Sequence, residues 1–253
     1  FSTIEQEQRG ASSNDSDSAF TAGAIWTPND RNRVTLSASS GYRFATLEER
    51  FFTGVTPQGE IRGNPDLSSE SSLGIDLGYA WQSGNWGAEV HVWRTQVQDL
   101  ISLFAIQPGL NGYTNVSDAK LHGAEGVLSW TPTSSLLLRA SGTLVRSKDE
   151  LTGNPLFGSP PVTATLEAKY DFSDFTFGAF YTHRWKVDRP GFEEVKRDAV
   201  DVIDLDLTWH LNTAWNLQLF MRNALDEDYV ATSDVLSALA PERSIGINVV
   251  WSH

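Results

Sequence analysis

The sequence predicts an all-β protein, an antiparallel transmembrane β-barrel segment of about eleven strands with short turns at one end and long loops at the other. Three observations lead to this fold class. Apolar and polar residues alternate along many short segments, the connections between segments alternate in length, and the tryptophans cluster beside the short connections. No apolar stretch reaches the roughly 18 residues of a transmembrane helix, and a closed barrel is the other way to pair every backbone group in lipid.

The predicted strands have the period of two that places successive side chains on opposite faces of a sheet. Leu73, Ile75 and Leu77 are apolar, whereas Gly74 and Asp76 between them are small or charged. The same alternation recurs along the chain, and no long window shows the helical period. It predicts strands at 18–27, 33–45, 70–82, 85–104, 113–131, 135–146, 160–172, 175–187, 199–211, 215–225 and 243–252.

The connections between these strands alternate between short and long. This is typical of outer-membrane barrels, whose periplasmic turns are short and whose extracellular loops are long. The polar stretch 1–17 is therefore predicted to be the remnant of an extracellular loop, and 18–253 the barrel segment. The short connections are 27–33, 83–85, 131–134, 173–174 and 212–214, and the long ones are 46–69, 105–112, 147–159, 188–198 and 226–242.

Seven of the nine tryptophans lie beside a short connection or near the chain end. Tryptophan concentrates at a membrane–water boundary, because its ring prefers the headgroup layer while its N–H keeps a polar partner. The alternative is that tryptophan is simply common in half-buried strands, which does not explain the one-sided clustering. The seven are Trp26, Trp81, Trp86, Trp130, Trp209, Trp215 and Trp251.

The charges exclude several classes of function. A net charge of −13, with 19 Lys and Arg against 32 Asp and Glu, argues against nucleic acid as a partner. The lack of cysteine excludes disulfides, a thiol nucleophile and a cysteine-ligated metal. The predicted outward rows are almost free of charge, and the charged side chains fall on rows that face the lumen. These are Asp76, Glu89, His91, Glu125, Arg139, Glu167, Lys169, Asp204, Asp206, His210 and Arg222.

An odd number of strands does not close a barrel. The first and last of eleven antiparallel strands would meet in parallel, whereas bacterial single-chain barrels have even counts. Either 1–12 contains a weak twelfth strand, or the chain is part of a larger barrel. The polar opening, with its low β-propensity, favours the second interpretation.

Particular motifs resemble those of TonB-dependent outer-membrane transporters. Asn64, Pro65, Leu67 and Glu70 match the Asn-Pro-x-Leu-x-x-Glu motif that opens a strand in that family, although Ala45 stands where the family often has Pro. Further matches follow in the family's order. They are Asn115-Val116 with Gly123 and Glu125, the Asn-Leu-Phe-Asp-x-x-Tyr-like run with Asn223, Asp226 and Tyr229, and Pro241-Glu242-Arg243.

The last predicted strand resembles the assembly signal of the same family. Gly246, Val249 and Trp251 fit a polar-x-Gly-x-x-apolar-x-apolar pattern, with Ser244 as the polar residue. The family usually ends in Phe, whereas this chain ends in His253. Recognition by the barrel-assembly machinery is therefore expected, with Trp251 as the aromatic anchor.

The resemblance implies the C-terminal half of a barrel of about 22 strands in a Gram-negative outer membrane. The plug, the TonB-binding part and the N-terminal barrel half would be supplied either by another segment of the same polypeptide or by a separate chain. The implied function is active import of a scarce small-molecule ligand, most often a ferric siderophore, with no enzymatic activity and no cofactor. The membrane, lipopolysaccharide and the TonB complex are the implied partners.

Several alternatives stay open. The same barrel type also imports cobalamin, haem or oligosaccharides, although none of the five histidines lies in a predicted long loop, which disfavours haem. A self-contained porin or barrel hydrolase of about twelve strands is a second possibility. A soluble all-β binding module is a third.

Nine aromatic or cationic residues near the long loops are candidates for ligand binding. Aromatic and cationic groups together suit an anionic iron chelate, and the alternative is that they pack the loops. They are Tyr42, Arg43, Phe51, Phe52, Arg62, Tyr113, Trp185, Lys186 and Arg189.

Two acidic groups have weaker functional interpretations. Asp204, Asp206 and His210 share one strand face and could act in acid–base chemistry or bind a metal. A hydrated lumen wall balanced by Arg139 or Arg222, or contact with the plug, is favoured. The run 226–228 could bind calcium or bridge to lipopolysaccharide, and a solvated loop is the favoured alternative.

Overall fold

The computed structural model describes residues 2–8, 11–56, 59–191, 194–231 and 239–251. These residues form fifteen strands and one short helix. In chain order they are β1 (Ser2–Gln8), β2 (Ala11–Asp17), β3 (Thr21–Asn29), β4 (Asn32–Arg43), α1 (Leu47–Phe51), β5 (Thr53–Thr56), β6 (Gly59–Arg62), β7 (Glu70–Ser83), β8 (Trp86–Gln107), β9 (Leu110–Thr133), β10 (Leu136–Asp149), β11 (Thr163–Phe172), β12 (Phe175–Arg184), β13 (Val200–His210), β14 (Trp215–Arg222) and β15 (Ser244–Trp251).

One antiparallel sheet dominates the fold. Within the described residues, eleven strands of this sheet lie side by side in the order β3, β4, β7, β8, β9, β10, β11, β12, β13, β14, β15. Each strand forms hydrogen bonds with the strands beside it in this order. The predicted fold class is confirmed, and the predicted strand bounds differ from the observed ones by a few residues. The sheet is open, because β3 and β15 lie at its two edges in this segment.

The first seventeen residues contain strands that the sequence analysis did not predict. β1 and β2 pair in register from Ser2 with Asp17 to Gln8 with Ala11, as a two-stranded sheet apart from the main one. A hairpin apart from the main sheet needs no alternation of apolar and polar residues, so the polar sequence of 2–17 is a poor indicator against it. The hairpin is not a twelfth barrel strand, and its extracellular position stays a prediction.

The predicted long loop at 105–112 is also wrong. β8 continues to Gln107 and β9 begins at Leu110, so the two strands form a long hairpin with a tight turn. Gly109 has φ of 81°, which favours glycine in that turn. Beside the turn, β6 pairs in parallel with the first three residues of β9.

The strand register separates two faces. Leu77 lies opposite Leu36 on β4 and Val92 on β8, whereas Asp76 lies opposite Ser37 and Trp93. Directly paired residues share a face, so the first set defines an outward face and the second a lumen face. All eleven charged residues predicted to face the lumen lie on the lumen face by this register.

Seven of the nine tryptophans form a band on the outward face at the short-turn end. Trp86 on β8 stacks on Trp130 of β9, with ring centroids 5.0 Å apart. Trp215 and Trp251 lie opposite each other on β14 and β15, with ring centroids 6.2 Å apart. In the described part of the chain, no helix is long and apolar enough to cross a membrane.

The two faces predict opposite responses to a charge. Val90 lies on the outward face of β8, and Val127 lies on the lumen face of the adjacent β9. Val90→Arg should cost about 2–4 kcal/mol of folding free energy in bilayers, because its charge would enter hydrocarbon. Val127→Arg, the matched control, would extend into water and should cost much less. Urea unfolding in lipid vesicles measures both, and equal costs would contradict the assignment of the faces.

Candidate ligand-binding cleft

A cleft of about 1210 Å³ lies on the lumen face where the strands approach the long loops. β8 contributes Trp93, Leu103 and Phe104, and β9 contributes Tyr113. The loop after β10 adds Leu151 and Phe157. Aromatic and aliphatic side chains therefore form much of the wall, which suits a bulky ligand with aromatic or apolar faces.

The cleft includes three of the nine predicted binding residues, namely Tyr42, Arg43 and Tyr113. Phe51 lies in α1, Phe52 follows it, and Arg62 ends β6. Trp185, Lys186 and Arg189 lie in the loop after β12. None of these six lines the cleft, so as ligand contacts they stay predictions.

Sequence analysis missed Trp93 as a cleft residue. A Cβ on Gly123, opposite Trp93, would approach the indole ring to 2.6 Å and the Leu144 carbonyl oxygen to 2.7 Å. Gly123 is one of the motif residues, and its lack of a side chain makes room for the indole ring of Trp93. A glycine directly across from a tryptophan was the available signal.

Arg43 is held by two carboxylates at the edge of the cleft. It donates hydrogen bonds of 2.9 Å to Oε2 of Glu49 and 2.9 Å to Oε2 of Glu70. Glu70 also accepts a 2.9 Å hydrogen bond from the backbone N–H of Ile101 on β8. The charge of Arg43 is therefore already matched within the protein, and it is a structural cation rather than an unpaired one.

Glu49 has two roles in this cluster, which we call the loop clamp (Arg43, Glu49 and Glu70). It completes a capping box at the start of α1, accepting from the backbone N–H of Thr46 while Thr46 accepts from the N–H of Glu49. Burial raises the pKa of Glu49, but the hydrogen bonds from Arg43 and Thr46 outweigh burial and hold it below 4.5. Glu49 therefore stays ionised and fixes α1 to the end of β4.

The Asn-Pro-x-Leu-x-x-Glu motif forms the turn that brings Glu70 into the loop clamp. Asn64 accepts a 3.0 Å hydrogen bond from the N–H of Asp66 and donates a 3.1 Å bond to the carbonyl oxygen of Tyr113. Leu67 is 3% exposed and packs with Ala45 and Ile101. The motif thus joins the first long loop to β9 and β8, and its role is structural.

Arg50 is buried beneath the first long loop and joins it to β2. It is 1% exposed and donates hydrogen bonds of 2.9 Å to the carbonyl oxygen of Leu67 and 2.7 Å to Oδ2 of Asp15. A Cβ on Gly63 would lie 2.7 Å from the backbone of Arg50, so glycine permits the close approach. The β1–β2 hairpin is thereby linked to the loop clamp region.

A second polar cluster shapes the connection between β14 and β15. Asn223, with φ of 51°, donates 2.9 Å and 3.2 Å hydrogen bonds to the carbonyl oxygens of Glu227 and Pro241. Asp226 forms a 2.9 Å ion pair with Arg243. These motif residues stabilise the loop. Asp226, the first carboxylate of the acidic run 226–228, is already paired with Arg243.

The lumen-facing acids are also partnered. Asp206 accepts from both terminal nitrogens of Arg222 at 3.0 and 2.9 Å, and Asp204 accepts a 2.8 Å bond from the N–H of Asn223. Arg139 instead pairs with Glu167 at 2.7 Å. Within the described residues, no group of three or more His, Cys, Asp and Glu side chains is placed to bind a metal.

The chain matches the family model described as TonB dependent receptor-like, beta-barrel, over residues 2–224. It is 25% identical over 232 residues to the "Iron-regulated outer membrane virulence protein" of Vibrio cholerae serotype O1, covering 81% of this chain. The chain spans 35% of the length of that relative.

Solved structures share the fold. The "Copper transporter OprC" superposes with a TM-score of 0.85 at 19% identity, covering 96% of this chain and 40% of that one. The ferric enterobactin receptor PfeA of Pseudomonas aeruginosa, an R480A mutant in complex with enterobactin, superposes with a TM-score of 0.75 at 17% identity. The match covers 95% of this chain and 40% of the receptor.

Glu70→Gln should loosen the first long loop. The substitution removes the carboxylate that Arg43 and the N–H of Ile101 share, and hydrogen bonds to charged groups contribute about 1.5–3 kcal/mol each. The backbone amide hydrogens of residues 47–56 should therefore exchange with solvent faster than in the wild type. Glu60→Gln, an exposed carboxylate on the same loop, is the matched control and should leave exchange unchanged. Unchanged exchange in Glu70→Gln would contradict the structural role of the clamp.

The pKa of Glu49 predicts acid opening of the same loop. Because this pKa is lower in the folded protein than the usual 4.5, its stabilisation is complete above pH 4.5 and is lost as pH falls through the folded value. A spin label on Cys at exposed position 48 should stay immobile near neutral pH and become mobile below about pH 4.5. Adding Glu49→Gln should abolish this transition, and a transition that persists would assign it to another group.

Proposed function

The chain belongs to the TonB dependent receptor-like β-barrel family, and from this membership we propose that it is the C-terminal half of the barrel of an outer-membrane transporter that imports a ferric siderophore. The family is one of transporters and receptors in the Gram-negative outer membrane. The observation that supports a ligand-binding role most directly is the aromatic cleft on the lumen face, bordered by a loop that the Arg43 clamp holds in place.

Iron is the favoured cargo. One relative is an iron-regulated outer-membrane protein, and one structural neighbour is a receptor in complex with enterobactin. Because the chain spans only 35–40% of these proteins, the transport activity of the whole protein belongs to the proposal.

The chemistry of the cleft refines the ligand class. Arg43 is neutralised by Glu49 and Glu70, so the described cleft offers aromatic surface rather than a free cation. Such a surface favours a siderophore whose aromatic rings stack on Trp93 and Tyr113. Arg62 and Arg189, both exposed on flanking segments, would contribute to the first encounter with an anionic chelate.

The open sheet requires a partner for each edge. β3 and β15 would otherwise expose unpaired backbone groups to lipid, which is costly. An N-terminal barrel half of about eleven strands would pair with both edges and close a 22-stranded barrel. The plug and the TonB-binding part would accompany that half, and Asp204, Asp206 and His210 on the lumen face would contact the plug.

Uptake by the complete receptor tests this proposal. A strain without its own siderophore receptors, expressing the complete receptor, should take up radiolabelled iron as an aromatic siderophore, and a strain lacking TonB should not. Trp93→Ala should raise the half-saturating concentration about two- to tenfold, because a stacked aromatic pair contributes about 0.5–1.5 kcal/mol.

Trp209→Ala is the matched control, because Trp209 lies on the outward face of β13, away from the cleft. It should leave the half-saturating concentration unchanged. Uptake of cobalamin but not of iron would overturn the choice of cargo, and uptake independent of TonB would overturn the transporter class.

A further inference from the structure

Five basic side chains gather on the outward face of three neighbouring strands. In one row, Arg94 on β8 lies opposite His122 on β9, which lies opposite Arg146 on β10. In the next row toward the long loops, Lys120 lies opposite Lys148. We call these residues the boundary cluster. Paired residues on one face have Cβ atoms about 4.5–5.5 Å apart, so the five side chains form one compact patch.

The boundary cluster begins where the apolar outward surface ends. The outward residues just before it are Val92, Ala124 and Leu144, one on each strand. On β9, eight residues separate Trp130 of the aromatic band from His122, which is about 26 Å along a strand and about 20 Å after strand tilt. This is close to the height of about 25 Å for the apolar band of such barrels. The cluster therefore lies at the outer headgroup level, since the tryptophans mark the short-turn side.

The arginines of the cluster are available to a ligand. Within the described part of the chain, neither Arg94 nor His122 forms a side-chain hydrogen bond or ion pair, and both are exposed. Arg146 contacts only the carbonyl oxygen of its neighbour Val145, at 3.4 Å, among described partners. Lys148 forms a 3.3 Å ion pair with Glu150, which also accepts a hydrogen bond from Lys120. The lysines are thus fixed beside two free guanidinium groups.

Among the other strands whose side chains the structure describes, none carries such a group of outward basic residues. Farther around the sheet, the outward charged group near the long loops is Asp201 on β13, which accepts hydrogen bonds from Tyr181 and His183. Arg139 and Arg222 lie on the lumen face and are paired with carboxylates. A patch of cations facing the membrane is therefore local to β8, β9 and β10, in a chain whose net charge is −13.

We propose that the boundary cluster binds the phosphate groups of lipopolysaccharide, the phosphorylated glycolipid of the outer leaflet. Guanidinium groups bind phosphate oxygens in a bidentate manner, and ammonium groups add point charges. The acyl chains would pack on the apolar residues below the cluster while the phosphates contact Arg94 and Arg146. Binding would orient and tighten the barrel wall in its membrane, independently of the ligand that the cleft takes.

Binding of purified lipid to the complete receptor tests this inference. The receptor in neutral detergent would be titrated with bisphosphorylated lipid A and, separately, with the same lipid after removal of both phosphates. The double variant Arg94→Gln/Arg146→Gln should bind the bisphosphorylated lipid about tenfold more weakly than the wild type or worse, because two charge-assisted contacts are lost. Both proteins should bind the dephosphorylated lipid equally weakly.

The matched control removes two arginines from the lumen face. Arg33→Gln/Arg139→Gln causes the same change in net charge and should bind lipid A like the wild type. Retention of the compact form on unheated gels shows that each variant is folded. Equal binding by the wild type and the outward double variant would overturn the inference. Full competition by inorganic phosphate, at the concentration of the lipid phosphate, would show a free-phosphate site and would also overturn it.

Discussion

Backbone pairing in a medium without water is the constraint on which the rest of this structure depends. Each strand must bond to its neighbours along its whole membrane-spanning length, and the register that results gives every side chain one of two faces. Leu77 and Asp76 are adjacent in sequence and yet lie on opposite faces. The outward tryptophan band, the charged lumen wall and the basic boundary cluster all follow from the same register.

The long loops obey a different rule, because water surrounds them and polar contacts must specify their shape. Arg43 joins β4 to α1 and β7 through two carboxylates, and Asn64 joins the same loop to β9. In this chain the family motifs are concentrated at such positions. Their residues build the frame of the cleft, whereas its wall is formed by side chains that no motif marks, such as Trp93 and Phe104.

Period-two alternation predicted the eleven strands and their lumen-facing charges, because burial in lipid acts on each residue locally. The β1–β2 hairpin was missed, since a strand pair with no apolar face has no such signal. β8 and β9 extend by pairing with each other up to their turn, and β6, a segment distant in sequence, pairs only with 110–112 of β9. Arg43 was predicted as a ligand-binding cation, but its partner Glu70 is 27 residues away and becomes a neighbour only through the register. The prediction that the outward rows are almost free of charge is wrong at the loop end of β8, β9 and β10, where the boundary cluster lies beyond the apolar part of the outward face.

Alternate residues of β8 face lipid and the aqueous lumen, and the accessibility of spin labels along β8 tests this central claim most directly. This chain has no cysteine. In a complete receptor whose remaining part has had any cysteine replaced by serine, single cysteines introduced from 87 to 98 therefore provide unique sites for spin labels, and the protein is reconstituted in vesicles. Labels at 88, 90 and 92 should collide with oxygen dissolved in the lipid, and labels at 89, 91 and 93 should collide with an aqueous nickel complex. The pattern should turn aqueous on both faces from 94 onward. Collisions without a period of two, or with the two sets exchanged, would contradict the assignment of an outward face to membrane and an inward face to lumen.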